Sequence, residues 1–237
     1  MSSIGTILSV AILTGAAALT LAPTTVSAQE CRTDPYPGIN WSSCAKRNLM
    51  LSGSDFSKGS LAEADLSFTD LRDSNFAGTN LTKAKLIRTW MAGSNAEGAN
   101  FSKVEAYRSD FQKVRANDAN FTSAELERSN FSKAELNNAR FEKAELGRSN
   151  FDGAILTGAS FAFANLARAD LTKAEFKGPL NFQSAFFFLT RIEGVDLSSS
   201  IGLDQHQLNV ACGDRRTKLP AGLTLPESWP CGDREMD

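Results

Sequence analysis

Residues able to do chemistry are sparse in this chain and do not converge. A single histidine, His206, leaves little room for imidazole acid–base or metal chemistry. No cysteine or serine partner for it is evident, and a surface histidine is the simplest reading. The four cysteines, Cys31, Cys44, Cys212 and Cys231, lack the C-x-x-C spacing of a metal site. Carboxylate pairs such as Glu125 and Glu127 recur, but they sit on a repeat that builds no cleft, so solvated acids explain them. Gly153 and Gly158 are repeat positions rather than a phosphate-cradling loop. No catalytic set, metal site or cofactor site is expected. What does recur is a row of guanidinium groups: Arg88, Arg108, Arg128, Arg148 and Arg168 stand 20 residues apart.

A faster period positions that row. From Leu51 through Phe176 every fifth residue is Leu, Phe, Met or Ala, giving 26 centres. The residue two before each centre is Ala in thirteen cases, Ser in six, Thr in three, Val in two and Gly in one, with Leu49 the exception. The unit therefore reads A-(N/D/E)-(L/F)-x-x. Five residues advance a helix by roughly 500°, so no fixed apolar face results. In a straight strand both inward positions would change face at each unit, because five is odd. Both stay inward only if the chain turns a corner in every unit, and stacked coils of such units bury a continuous core.

The slower period fixes the number of sides. The arginine row, the glutamates Glu105, Glu125 and Glu145, and the centres Phe101, Phe121, Phe141 and Phe161 all recur at 20 residues, which is four units. Phe111, Phe131 and Phe151 form a second column half a turn away. Residues one coil apart then lie about 4.8 Å apart, where stacked rings gain packing beyond their buried area.

Asn100-Phe101, Ala119-Asn120-Phe121, Ala164-Asn165-Leu166 and Ala169-Asp170-Leu171 resemble the pentapeptide-repeat family, over roughly residues 41–200. The resemblance implies a right-handed coil and brings no catalytic residues. The expected fold is all-β: a right-handed quadrilateral β-helix, a solenoid of about eight four-sided coils, on the order of 35–40 Å tall. Upstream, Trp41 and Lys46 keep the centre frame, with Ile39 and Cys44 at the inward small position. Downstream, Gly178-Pro179 adds one residue before the frame resumes at Phe182, Phe187, Ile192 and Leu197.

That height separates the cysteines into two pairs. A disulfide needs Cα atoms within about 7 Å, so Cys31–Cys44 and Cys212–Cys231 are expected, each stapling an end-cap over an exposed coil edge. Asp204 is placed to cap a short helix running to about Ala211, with Leu203, Leu208 and Ala211 inward and Gly213 following. Pro220, Pro226 and Pro230 then force an extended path, and Leu219 to Trp229 is expected to fold back over Phe186 and Phe188.

Residues 1–28 read as a signal peptide: no charged side chain, an apolar run from Ile7 to Leu21, and Val26-Ser27-Ala28 before the expected cleavage. The run is too short to span a bilayer comfortably, although the leader lacks the usual Lys or Arg. The expected domains are this leader, an N-terminal cap over 29–48, the repeat helix over 49–200 and a C-terminal cap over 201–237. An even cysteine count after a leader fits a periplasmic or secreted protein. No membrane span is expected in the mature chain.

One stretch of surface breaks the uniformity. Ile87 and Tyr107 share an outward position in successive coils, Arg88 and Arg108 stand beside them, Trp90 lies just past the bend, and Phe68 is the rung below Arg88. Aromatic residues interleaved with arginine have the composition of an interface hot spot. Next to them the centres shrink to Ala96, Ala106 and Ala116, partly offset by Val104 and Val114. Phe68, Ile87, Arg88, Trp90, Tyr107 and Arg108 are thus the candidate contact patch for a protein or glycan partner. The plainer reading of the arginine row is a solvated ladder of pairs with Glu105, Glu125 and Glu145, each link contributing ~0–1 kcal/mol. Phe68 stacked on Arg88 would be another structural use.

The expected function is a non-enzymatic, rigid interaction or structural module. The alternative is DNA mimicry, since some proteins of the family resemble a duplex and bind topoisomerases. It requires an acidic surface and cytoplasmic access, yet residues 49–178 carry 17 basic and 17 acidic side chains. With a net charge of −2 overall, nucleic-acid binding is not expected either. A flat ice- or mineral-binding face fails because its row reads Thr82, Ser102, Thr122 and then Glu142.

Overall fold

The computed structural model describes residues 30–232, so the leader read over residues 1–28 lies outside the described residues. Each five-residue unit closes a tight turn. Around Leu86, the Thr89 N–H donates to the Leu86 carbonyl at 3.1 Å. The second turn residue has a positive φ, +52° at Arg88, and the first does not, which is the sign pattern of a type II turn.

The residue before each centre forms one parallel bridge to its equivalent a coil away, with a register of 20 from Asn40↔Ser60 through Ile155↔Glu175. Phe101 shows the bonding: its N–H donates to the Asn120 carbonyl at 2.7 Å, and the Asn120 N–H donates to the Ala99 carbonyl at 3.0 Å. Nine residues stack in the longest such columns, from Asn40 to Ile201 and from Met50 to Cys212. The architecture is the right-handed quadrilateral β-helix, built from single-residue bridges rather than long strands. The added residue at Gly178-Pro179 shifts the register to 21 at Ser160↔Asn181.

Two side-chain ladders explain the unit's composition. The Asn or Asp before a centre accepts the N–H two residues on, as Asn120 does from Thr122 at 3.0 Å, the Asx-turn geometry these residues favour. Where the inward small residue is Ser or Thr, its hydroxyl commonly donates to a centre carbonyl one coil below, with buried Ser149 an exception among the described residues. Thr79 donates to Phe56 at 2.7 Å and Ser94 to Leu71 at 2.8 Å. A buried hydroxyl is thereby satisfied rather than stranded.

The core is a double stack of rings. Phe101, Phe121, Phe141 and Phe161 follow at 4.7, 4.9 and 5.1 Å, while Phe111, Phe131 and Phe151 follow at 4.9 and 5.2 Å. The two columns meet edge to face across the axis. At the level of Ala96, Ala106 and Ala116, Phe111 meets Phe101 and Phe121 at 6.1 and 6.2 Å and takes up the room. Those alanines are fully buried, so the shrunken centres leave no mark on the surface.

Both disulfides form as the rod height requires, with Cα separations of 5.6 Å for Cys31–Cys44 and 5.3 Å for Cys212–Cys231. At the N-terminal end a single 3₁₀ turn, Glu30–Arg32, lies against the first coil. The Trp41 indole donates to the Glu30 carbonyl at 3.1 Å, and the Lys46 ammonium sits 3.5 Å above the Trp41 ring. Burial pushes the Lys46 pKa down from its usual value. Bridges at Asn40, Ala45, Cys212 and Lys218 carry the coil into segments that the sequence reading gives to the caps.

At the other end α1, Gln205–Val210, starts at Asp204 with a full capping box, and Leu208 and Ala211 are buried. Gln207 in α1 donates to the Phe182 and Ala185 carbonyls at 2.9 and 2.8 Å, covering that coil edge. The expected cover over Phe186 and Phe188 does not form. Leu219, Leu223 and Trp229 pack instead against the end of the core, and Trp229 lies so close over Gly213 that a Cβ there would collide with its ring. Phe186 and Phe188 stay 54% and 44% exposed and stack on each other. The open core end offers more apolar surface than two solvent-facing rings, which is why the segment goes there.

Candidate interaction surface

The patch residues occupy two parts of the coil wall. Ile87 and Tyr107 are first turn residues of successive coils, and Phe68, Arg88 and Arg108 are second turn residues, all with positive φ. Trp90 stands in the next bridge column, between Asp70 and Asp110. Trp90 is 47% exposed and Tyr107 37%, while every core centre beneath them is sealed. The structure thus brings all six onto one corner of the rod.

Their partners differ from the sequence expectation. Phe68 takes the Arg47 guanidinium at 5.6 Å rather than Arg88, and Arg108 lies over Tyr107 at 5.1 Å. The expected ion-pair ladder is not built. Glu105 pairs with Lys85 at 3.7 Å, and Glu145 accepts from the Asn165 amide at 2.8 Å. Among the described residues, Arg88, Arg108, Arg128 and Arg148 make no ion pair. The arginines stand on the second turn residue and the glutamates on the bridge position before the bend, with Tyr107, Glu127 or Gly147 as the first turn residue between them. Burial raises the Glu127 carboxyl above its ordinary pKa, with Glu125 and Glu145 adding repulsion.

Three residues that the sequence reading missed complete the surface. Met50, Asp70 and Arg72 line a depression of about 290 Å³ together with Trp90. The Arg72 guanidinium grips Asp70 with both ends, Nε to Oδ1 at 2.9 Å and Nη2 to Oδ2 at 2.6 Å. That hydrogen bonding holds the Asp70 carboxyl below its ordinary pKa, against the effect of burial. Met50 and Trp90 share one column, two coils apart, with the buried Asp70 between them. A 20-residue alignment of the units would have set the three side by side. The arrangement joins an indole face and a flexible thioether to a fixed guanidinium–carboxylate fork. It suits a ligand with an apolar face and hydroxyl or amide groups at its rim.

The pentapeptide-repeat profile matches in eight copies, over residues 51–86, 80–115, 117–153, 144–179 and 154–194, more than half of the chain. The chain belongs to the pentapeptide-repeat family. Solved structures of the family lie among its neighbours. HetL, a pentapeptide repeat protein involved in heterocyst differentiation regulation from Nostoc sp. strain PCC 7120, is 22% identical, with 82% of this chain and 94% of that one covered at a TM-score of 0.31. QnrB1, a plasmid-mediated fluoroquinolone resistance protein, is 20% identical, with 75% and 90% covered at a TM-score of 0.35. A pentapeptide repeat protein of the Arabidopsis thaliana thylakoid lumen is 30% identical, with 49% and 68% covered at a TM-score of 0.29. No curated protein matches the chain.

Proposed function

We propose that this pentapeptide-repeat protein is a non-enzymatic interaction module, a rigid rod that presents the corner around Trp90 to a protein or glycan. The observation that carries this reading is the half-exposed Trp90 beside the Asp70–Arg72 fork, flanked by the guanidinium groups of Arg88 and Arg108, which make no ion pair among the described residues. A rod held by a backbone bond at nearly every rung keeps such a corner fixed, so little ordering is needed on binding. A periplasmic or secreted location belongs to the same proposal and is supported by the two disulfides. The DNA-mimic alternative finds no support in the charge, which is balanced along the repeats.

The test is affinity capture from envelope and culture-medium fractions, with the chain from Gln29 onward as bait and its Trp90→Ala/Arg108→Ala form as control. A partner held by the wild type and lost by the variant supports the patch. Protease or periodate treatment of the fractions then tells protein from glycan. Equal capture by both forms discards the patch, and no capture by either leaves a passive structural rod.

A further inference from the structure

One rung of the ladder is missing. The column that runs from Asp55 through Ile155 to Glu175 resumes at Asp196↔Lys218, and the bridge between Glu175 and Asp196 does not form. Two bonds go with it among the described residues: Phe176 N–H to the Asp196 carbonyl, and Asp196 N–H to the Ala174 carbonyl. Two donors and two acceptors of the main chain therefore border an opening of about 560 Å³, lined by Ile155, Thr157, Ala174, Phe176, Lys177 and Asp196 among others.

The cause is the added residue. Gly178 turns at φ +94° just before Pro179, and the longer path draws Phe176 outward, so that this centre is only half-buried. A second observation marks the same place. The Ser200 hydroxyl occupies the position from which Thr79 bonds the Phe56 carbonyl, so its counterpart would be the Phe176 carbonyl. Ser200 is 9% exposed and its hydroxyl has no partner among the described residues, while neighbouring Ser199 bonds the Gly178 carbonyl at 3.1 Å.

An alternation of N–H and C=O groups at an open edge is met most completely by another extended backbone. The apolar floor of Ile155, Ala174 and Phe176 suits one apolar side chain from it. We infer that this slot binds an extended peptide segment of a partner protein, bonded to the main chain of Ala174, Phe176 and Asp196, with an apolar residue over Phe176. In the intact coils of this column the sequence that meets these groups is a small residue, then Asp55, Asn75, Asn95, Arg115, Glu135 or Ile155, then Phe, Leu or Ala, so the segment's expected chemistry is a small residue, a residue that tolerates the rim, and an apolar one. The inference is independent of the Trp90 corner, which lies toward the other end of the rod.

The probe is a blocked nonapeptide copying residues 162–170, titrated into the isotopically labelled protein. The Phe176 and Asp196 amide resonances should shift saturably and exchange roughly tenfold more slowly with solvent, while the Phe131 amide stays unchanged. Methylation of the peptide's leucine nitrogen should abolish the effect. Deletion of Gly178, which restores the frame, should close the slot and remove binding; Phe176→Ala, which keeps the backbone, should weaken it. The Trp90→Ala/Arg108→Ala protein should bind the peptide as the wild type does. Absence of a saturable shift at millimolar peptide, or equal binding by the methylated peptide, overturns the inference.

Discussion

The coils spanning residues 100–170 and the interrupted stretch from 171 to 218 are made from the same unit yet held differently. In the first, each centre is sealed, each bridge residue pairs on both sides, and the rings lie within 6° of parallel. In the second, one extra residue loosens the Phe161–Phe182 step to 5.6 Å and 17°, and removes one rung on one side only. The remaining sides absorb the insertion through registers of 21 and 22. The difference teaches that the apolar stack is the forgiving part of this fold and the hydrogen-bond ladder the exacting one. An apolar contact weakens gradually, losing about a quarter to a half of its well over a gap of roughly 0.5–1 Å, whereas a bridge either forms or does not.

The largest expected effect contrasts one centre from each region. Phe131→Ala removes a ring stacked on both sides and met edge-on by two more, so a loss of about 3–5 kcal/mol is expected. Phe176→Ala removes a half-buried ring beside an open rung, and roughly 1–2 kcal/mol should be lost. Urea unfolding of the two variants gives both values. Equal losses would mean that the interrupted coil packs as tightly as the body, and the comparison would fail.

Next comes the staple over the interrupted end. Cys212–Cys231 closes a sequence separation of 19 residues, for which loop-closure entropy gives a stabilisation of about 3 kcal/mol. Cys212→Ser/Cys231→Ser should lower the unfolding midpoint and speed amide exchange over residues 201–232, leaving residues 100–170 protected. Faster exchange along the whole rod would show instead that the end-cap and the body open as one unit, as coupling between neighbouring coils can allow.

Much of this was legible in the sequence because the period is carried by side chains that must be inside. Phe101 to Phe161, the two disulfides and the Asp204 cap all follow from burial, reach and capping, each a local or single-period argument. The missing rung was not legible. Gly178-Pro179 announced an added residue, but whether it bulges outward or shifts the ladder depends on the coil above it. The Phe186 and Phe188 cover fails for a similar reason: the competing core end exists only once the coils are stacked. The arginine row shares its period with the glutamates, which suggests pairs that the structure does not form. A shared period places groups in parallel columns, and the turn between those columns sets whether they meet. The Asp70–Arg72 fork lay two residues apart in plain view, yet its meaning needed Met50 and Trp90 from the coils on either side.

The smallest expected effect bears on what that arginine row is for. Arg128 holds φ at +58° with its side chain in no ion pair, and its N–H donates to the Gly147 carbonyl at 2.8 Å. A residue with a Cβ is disfavoured there by roughly 1 kcal/mol, and glycine recovers most of that while losing some chain entropy. Arg128→Gly should therefore raise stability by about 0.5 kcal/mol, measured by the shift in urea midpoint. The matching change at Gly178, φ +94°, should go the other way when alanine is introduced. A gain at Arg128 would mean that its guanidinium contributes nothing to holding the rod together, and so stands free to meet something else. A loss of 1 kcal/mol or more would give the row a structural task, and the case for a partner would then rest on Trp90 and the Asp70–Arg72 fork alone.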